Sequence, residues 1–190
     1  MQDLNDLYYF AAVVDHQGFA AAERALGIPK SRLSRRISQL EDDLGVRLLQ
    51  RSTRRFAVTE VGHSVYRHAQ SMLAEAQAAV PAISPQEAQA LVGKADVLFL
   101  DVREPPEVTA SGKVQGALAV PRGLVEFRAD PASPMHDKAF DRAKTIVCYC
   151  ASGGRSALVG KTLKDMGYDK VRNLGGFKGW ADAGGAVEKA

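Results

Sequence analysis

A chain of 190 residues, 46% hydrophobic and 25% charged, has enough apolar side chain for one large or two small cores, which excludes an intrinsically disordered polymer. No apolar run approaches the ~20 residues that cross a bilayer, and MQDLNDLYYF lacks the basic head and apolar core of a secretory signal, so a cytoplasmic protein with no membrane partner is expected. The net charge of +3 understates one block, because nine Lys and Arg face three Asp and Glu between Arg24 and Arg55, an excess that calls for an anionic partner.

Leu4, Leu7, Tyr8, Ala11 and Val14 recur at helical spacing and predict a first helix. Gly18 interrupts the pattern before FAAAERAL opens a second, which Gly27 ends. After GIP, the segment KSRLSRRISQLEDDLG puts Leu33, Ile37, Leu40 and Leu44 on one stripe and Arg32, Arg35, Arg36 and Gln39 on another, so one stripe packs while the other is free to bind. Gly45 stops this helix, and VRLLQRSTRRFAV reads as two short strands around a basic turn, a hairpin-like wing. Thr59 can cap a long helix from Glu60 to about Ala79, whose apolar seam of Val61, Val65, Met72, Leu73 and Ala76 suits either a second copy or its own domain.

Two prolines in AAVPAISPQ then mark a boundary, dividing the chain into 1–59, a helical linker 60–80, and 81–190. Ser84, Pro85 and Glu87 form a capping box that opens a helix to about Val92. Beyond it the apolar runs DVLFLDV, GALAVP, TIVCYC and KVRNL alternate with helical pieces such as RSALVGKTLKDMG, which implies a mainly parallel sheet covered on both faces.

Three helices and a basic wing meet the physical needs of a winged helix-turn-helix, in which a helix enters the major groove and basic side chains neutralise phosphates. Lys30, Ser31, Arg32, Ser34 and Arg35 lie where groove contacts are made, and Arg51, Arg54 and Arg55 on the wing suit phosphates or the minor groove. With its core of Ser34, Ile37, Leu40, Glu41, Leu44 and Gly45, the stretch from Leu4 to Ala79 resembles the DNA-binding domain of LysR-type transcriptional regulators. The resemblance implies a homodimer joined through the helix after the wing and bound to two half-sites of double-stranded DNA. Pro29-Lys30 stands where the family frequently has Ser-Gln, and Gly18 where it usually has serine, so base preference does not carry over. Such regulators normally continue into a two-lobed ligand-binding domain; here a different pattern follows.

That pattern centres on CASGGRSA, Cys150 to Ala157, just past an apolar run and therefore at the edge of a parallel sheet where ligands gather. Only two cysteines occur, and Cys148 and Cys150 are too close to staple a fold, which suits a reducing compartment with a reactive thiol. Cys148 reads as core. The amides of Ala151, Ser152, Gly153 and Gly154 can curl inward, the next helix aims its positive end at the same spot, and together with Arg155 these favour a thiolate. Cysteine-dependent phosphatases carry C-x5-R, wide enough for a phosphoryl group, whereas Cys150 to Arg155 is C-x4-R and closes around something smaller, such as a persulfide sulfur.

The second domain accordingly resembles a rhodanese, a sulfurtransferase. DVRE at Asp101 to Glu104, GKVQGA at Gly112 to Ala117, LGGFKGW at Leu174 to Trp180 and an insertion, PRGLVEFRADPASPMH, extend the likeness from about Ser84 to Val187. It implies that Cys150 and Arg155 are catalytic, that Ala151, Ser152, Gly153, Gly154 and Ser156 hold the substrate, and that sulfur moves from a sulfane-sulfur donor to a thiol or cyanide. Arg103 is expected in a buried ion pair and Trp180 in the core. No cofactor is implied, and His16, His63, His68 and His136 are too scattered for a metal site.

The expected protein is thus an all-α winged helix-turn-helix with a long linker helix, followed by an α/β rhodanese-like domain with a mainly parallel sheet. Its expected role is a transcriptional regulator carrying sulfur on Cys150, with DNA binding biased by the persulfide. The alternative is a thiosulfate sulfurtransferase whose N-terminal module only dimerises or tethers it.

Overall fold

A computed structural model of the chain describes residues 3–50 and 56–189, and it resolves into two compact units, Met1–Ala74 and Glu75–Ala190.

In the first unit, helices α1 (Leu4–Asp15), α2 (Phe19–Leu26) and α3 (Lys30–Leu44) close around Tyr9, Phe10, Val13, Leu33, Ile37 and Leu40. The Asp3 side chain caps α1 by accepting from the Asn5 amide, satisfying one of the orphan donors at the helix start. Helices α2 and α3 both end on a glycine in the left-handed region, Gly27 and Gly45 at φ 67°, where a side chain would be strained. Two details depart from the periodicity. The inward face of α1 runs from Tyr8 to Val13 while Leu4 is 37% exposed, and on α3 the packed stripe stops at Leu40, leaving Leu44 exposed.

Only the base of the wing falls within the described residues. Leu49 and Val58 form an antiparallel bridge, and the Gln50 amide donates to the Ala57 carbonyl at 2.9 Å. Glu41 fastens α3 to this base: its carboxylate accepts from the amides of Leu48 (2.7 Å) and Leu49 (3.0 Å) and from Arg47 (2.8 Å). Helix α4 (Glu60–Ala79) begins as expected, with the Thr59 hydroxyl accepting from the Gly62 amide at 2.9 Å. Along its seam Val61 is exposed, Val65, Met72 and Leu73 are half-buried, and Ala76 is buried.

The second unit runs α5 (Pro85–Gln89), β1 (Val97–Asp101), α6 (Pro105–Ser111), β2 (Lys113–Val114) and β3 (Leu118–Ala119). A 3-10 turn (Arg122–Leu124) leads into α7 (Val125–Ala129), followed by β4 (Thr145–Cys150), α8 (Gly154–Asp165), β5 (Val171–Gly176), α9 (Phe177–Asp182) and β6 (Val187–Glu188). The Ser84 capping box is formed, but α5 ends at Gln89, short of Val92. Strands pair in the order β3-β1-β4-β5, all parallel. Side chains alternate between two cores: Leu98, Leu100, Ile146, Cys148 and Cys150 join one, and Phe99, Val147 and Tyr149 join Trp180 in the other. Both faces are therefore covered, which is why these strands read as unbroken apolar runs. The short antiparallel pair β2-β6 was not legible in the sequence.

Candidate functional site

Cys150 is the last residue of β4, and the chain turns through Ala151, Ser152 and Gly153 into α8. Gly153 takes φ 98°, a left-handed conformation that swings its amide back onto Cys150 Sγ at 3.1 Å. Gly153 has no side chain to cap α8, so the helix presents its first amides and positive end at this loop. Of the amides expected to curl inward, from Ala151 to Gly154, that of Gly153 meets the sulfur. The Cys150 residue itself is fully buried, in the same core cluster as Val102, Val120 and Val125.

Arg155 is placed differently from the expectation. Its guanidinium is 1% exposed and donates twice to the Glu107 carboxylate on α6, from Nη1 at 2.8 Å and from Nη2 at 2.7 Å. Its charge is compensated there, and the main-chain donor that meets the sulfur is the Gly153 amide. Glu107 also accepts from the Glu104 amide at 3.0 Å, the side chain-to-backbone arm of the α6 capping box, so one carboxylate both starts a helix and clamps the cradle arginine.

Asn173 on β5 ties the loop from the other side. Its Oδ1 accepts from the Ser156 hydroxyl (2.8 Å) and the Gly175 amide (2.9 Å), and its Nδ2 donates to the Gly153 carbonyl (3.3 Å). Ser156 is fully buried, and its hydroxyl lies 3.0 Å from the Gly153 carbonyl and 3.6 Å from Cys150 Sγ, so it braces the loop from within. Ala151 is half-buried, Ser152 exposed and Gly154 buried. The glycine pair of LGG allows close approach: a Cβ on Gly176 would stand 2.7 Å from the Ala151 carbonyl oxygen, and one on Gly153 would stand 3.2 Å from Gly175 Cα. Glu107 and Asn173 escaped the sequence reading; the signals were a glutamate three residues after Glu104 and an asparagine just ahead of the glycine pair.

Arg103 is in the buried ion pair expected of it, with Asp101 at 2.6 Å, and its guanidinium stacks 4.0 Å over the Phe177 ring. Trp180 is fully buried, and its Nε1 donates to the Ala186 carbonyl. Burial also pushes the Cys148 thiol well above its ordinary pKa, consistent with an inert core residue.

On the first unit, Lys30, Ser31, Ser34 and Arg35 lie exposed on the N-terminal half of α3, and Arg32 is half-buried. Arg36, placed by periodicity on the same free stripe, is instead bound to α1, with Nε 2.5 Å from Asp6 and a further pair with Asp3. Arg51, Arg54 and Arg55 lie outside the described residues. Among the described residues no helix is long and apolar enough to cross a membrane.

The family model for bacterial regulatory helix-turn-helix proteins of the lysR family matches residues 4–63, and that for the rhodanese-like domain matches residues 84–183, just over half of the chain. The HTH-type transcriptional regulator PtxR of Pseudomonas aeruginosa is 47% identical over 78 residues, 41% of this chain and 25% of that protein. An HTH-type transcriptional regulator of Xanthomonas campestris is 43% identical over 81 residues, covering 43% and 24%. The chain thus spans about a quarter of the length of these regulators. A solved structure from Rhodopseudomonas palustris, a protein of unknown function named as a possible tyrosine phosphatase, is 42% identical with a TM-score of 0.60, over 63% of this chain and 92% of that one.

Proposed function

We propose, for a chain that belongs to the rhodanese-like family and carries a lysR-type helix-turn-helix domain ahead of that region, that it is a DNA-binding transcriptional regulator whose second unit carries sulfane sulfur on Cys150. The observation that supports the sulfur chemistry above all is the Gly153 amide turned onto Cys150 Sγ at 3.1 Å, a donor suited to an anionic sulfur.

In this reading the Cys150 thiolate attacks the outer sulfur of thiosulfate. A new S–S bond forms at Cys150, the S–S bond of the donor breaks, and sulfite leaves with the electron pair. A thiol or cyanide then takes the outer sulfur of the persulfide and returns the Cys150 thiolate. Gly153 and the first amides of α8 steady the negative charge throughout, and Glu107 fixes Arg155 as a strut that holds the ring's far end. Because Cys150 is covered, donor entry requires the residues above it to shift.

Tyrosine phosphatase chemistry, the possibility named for the R. palustris protein, fits less well. The four residues between Cys150 and Arg155 make a smaller ring than C-x5-R, and Arg155 spends two donors on Glu107 instead of presenting them to a phosphoryl group. On the DNA side, Lys30, Ser31, Arg32, Ser34 and Arg35 read the groove of double-stranded DNA, with Arg51, Arg54 and Arg55 on the phosphates of a site bound by a homodimer. A cytoplasmic location follows from that role.

Two measurements test the proposal. Mass spectrometry after thiosulfate exposure should find an adduct of about 32 mass units, one sulfur, on Cys150 and none in Cys150→Ser. Operator affinity should fall steeply with salt as counterions are released, and should differ between reduced and persulfidated protein. No adduct would sink the sulfur chemistry; equal affinities would leave a sulfurtransferase tethered to DNA.

A further inference from the structure

Arg122 opens the 3-10 turn after β3, inside the insertion PRGLVEFRADPASPMH, and nothing in the sulfur-transfer scheme uses it. Its amide donates to the Val102 carbonyl (3.3 Å), and the Val102 amide donates to the Tyr149 carbonyl (3.0 Å), so the turn is stitched to the strand end that leads into Cys150. Both residues sit on the carboxyl edge of the sheet. Strands β3 and β4 are separated by β1 alone, two strand spacings or about 10 Å. An arginine side chain together with a small anion is long enough to bridge a gap of that size. Val125, which caps the turn, packs in the same buried cluster as Cys150.

Three buried arginines gather in this unit, and their partners differ. Arg103 has Asp101, the Ser111 hydroxyl and the Gly112 carbonyl; Arg155 has both oxygens of Glu107. Arg122 is 4% exposed, and its Nη1 donates to a single oxygen of Glu126 at 2.8 Å, on a side chain that is 37% exposed. Its buried Nε has no hydrogen-bond partner among the described residues. A buried cationic donor left unused is costly, and the cost is relieved by an acceptor of negative charge.

We propose that Arg122 is the anion-recognition residue of the sulfur donor. Building on the sulfur-transfer reading, its guanidinium holds the sulfonate end of thiosulfate while the outer sulfur meets Cys150 Sγ, and sulfite departs from the same place. Glu126 is the competing internal anion that an entering donor displaces, and the surface exposure of its carboxylate makes that exchange feasible.

The test uses the full-length chain and its Arg122→Gln, Arg122→Lys and Glu126→Gln variants, each checked for folding by thermal melting. Steady-state transfer from thiosulfate to cyanide gives kcat and KM, and calorimetry gives thiosulfate binding in a Cys150→Ser background, where no persulfide forms. Arg122→Gln should raise KM and weaken binding about tenfold to a hundredfold, with kcat changed less, the range for losing hydrogen bonds to a charged group. Arg122→Lys should recover part of the loss, and Glu126→Gln should bind thiosulfate more tightly than the parent. A purely structural Arg122 predicts the opposite for Glu126→Gln, because losing either partner then loosens the turn equally. Unchanged binding in Arg122→Gln, or weakened binding in Glu126→Gln, overturns the assignment; should Arg122→Gln fail to fold, the other two variants decide. Absence of a Cys150 adduct in the parent protein would count against sulfur transfer, while the calorimetric comparison would still report on the anion site.

Discussion

Replacing Gly176 by alanine tests whether the cradle depends on backbone-to-backbone contact. Gly176 has φ −93° and ψ 134°, a conformation open to alanine, so the substitution adds no dihedral strain and acts by volume alone. The new Cβ would stand 2.7 Å from the Ala151 carbonyl oxygen and 3.5 Å from Ser152 Cα. Carbon and oxygen rest at about 3.3–3.6 Å, so the loop must retreat by about 0.6–0.9 Å. Such overpacking costs about 1–3 kcal/mol, and a displacement of that size at a reacting atom lowers rates by about tenfold to a hundredfold. Gly179→Ala is the matched control, since nothing lies within 4 Å of its added Cβ on α9 and helical glycine to alanine is neutral or stabilising by up to about 1 kcal/mol. Urea melts paired with thiosulfate-to-cyanide turnover measure both effects. A Gly176→Ala protein as stable and as active as the Gly179→Ala control would refute the idea that the Ala151–Gly176 contact sets the sulfur's position.

Glu107→Gln should cost about 3–5 kcal/mol in a urea melt, because Arg155, 1% exposed, would keep a buried charge without its anion; a loss under 1 kcal/mol would show that the pair does not brace the cradle. Iodoacetamide should alkylate Cys150, at the strand end two residues before the exposed Ser152, well before Cys148 in mid-strand, and Cys148 should react only on unfolding; peptide mapping of the two adducts checks the order. Glu41→Gln should destabilise the first unit by about 1–3 kcal/mol at pH 7 by weakening its bonds to Leu48, Leu49 and Arg47. Burial opposes the charged form of Glu41, but the Leu49 amide, Arg47 and the Leu48 amide outweigh it and hold its carboxyl below the ordinary value. A folded-state pKa below the unfolded one gives stability that is present above the unfolded value and drains as pH falls, so the gap between parent and Glu41→Gln should close between about pH 5 and pH 3. A gap that persists at pH 3 would mean the ionised form contributes nothing special.

Elements and the loop were legible where local chemistry dominates, and the misses fall where a distant partner decides. Helix starts at Thr59 and Ser84 and the glycine stops at Gly27 and Gly45 are written within a few residues, so they could be read directly. Arg36 could not, since its fate depends on Asp3 and Asp6 about thirty residues earlier, and neither hydrophobic period nor charge spacing encodes that meeting. The same holds for the pair Lys113–Val114 with Val187–Glu188, two-residue strands too short to carry a period. The site shows the limit most clearly. CASGGRSA announces a thiol under amide donors, yet whether Arg155 faces the substrate or the protein is settled by Glu107, 48 positions away, and the burial of the thiol by a core drawn from distant segments, Val102, Val120 and Val125 among them. With both Nη groups of Arg155 given to Glu107, a second buried cation has more to offer an anionic donor. That difference turns attention from the loop to Arg122, a residue that sequence motifs alone assign to nothing more than an insertion.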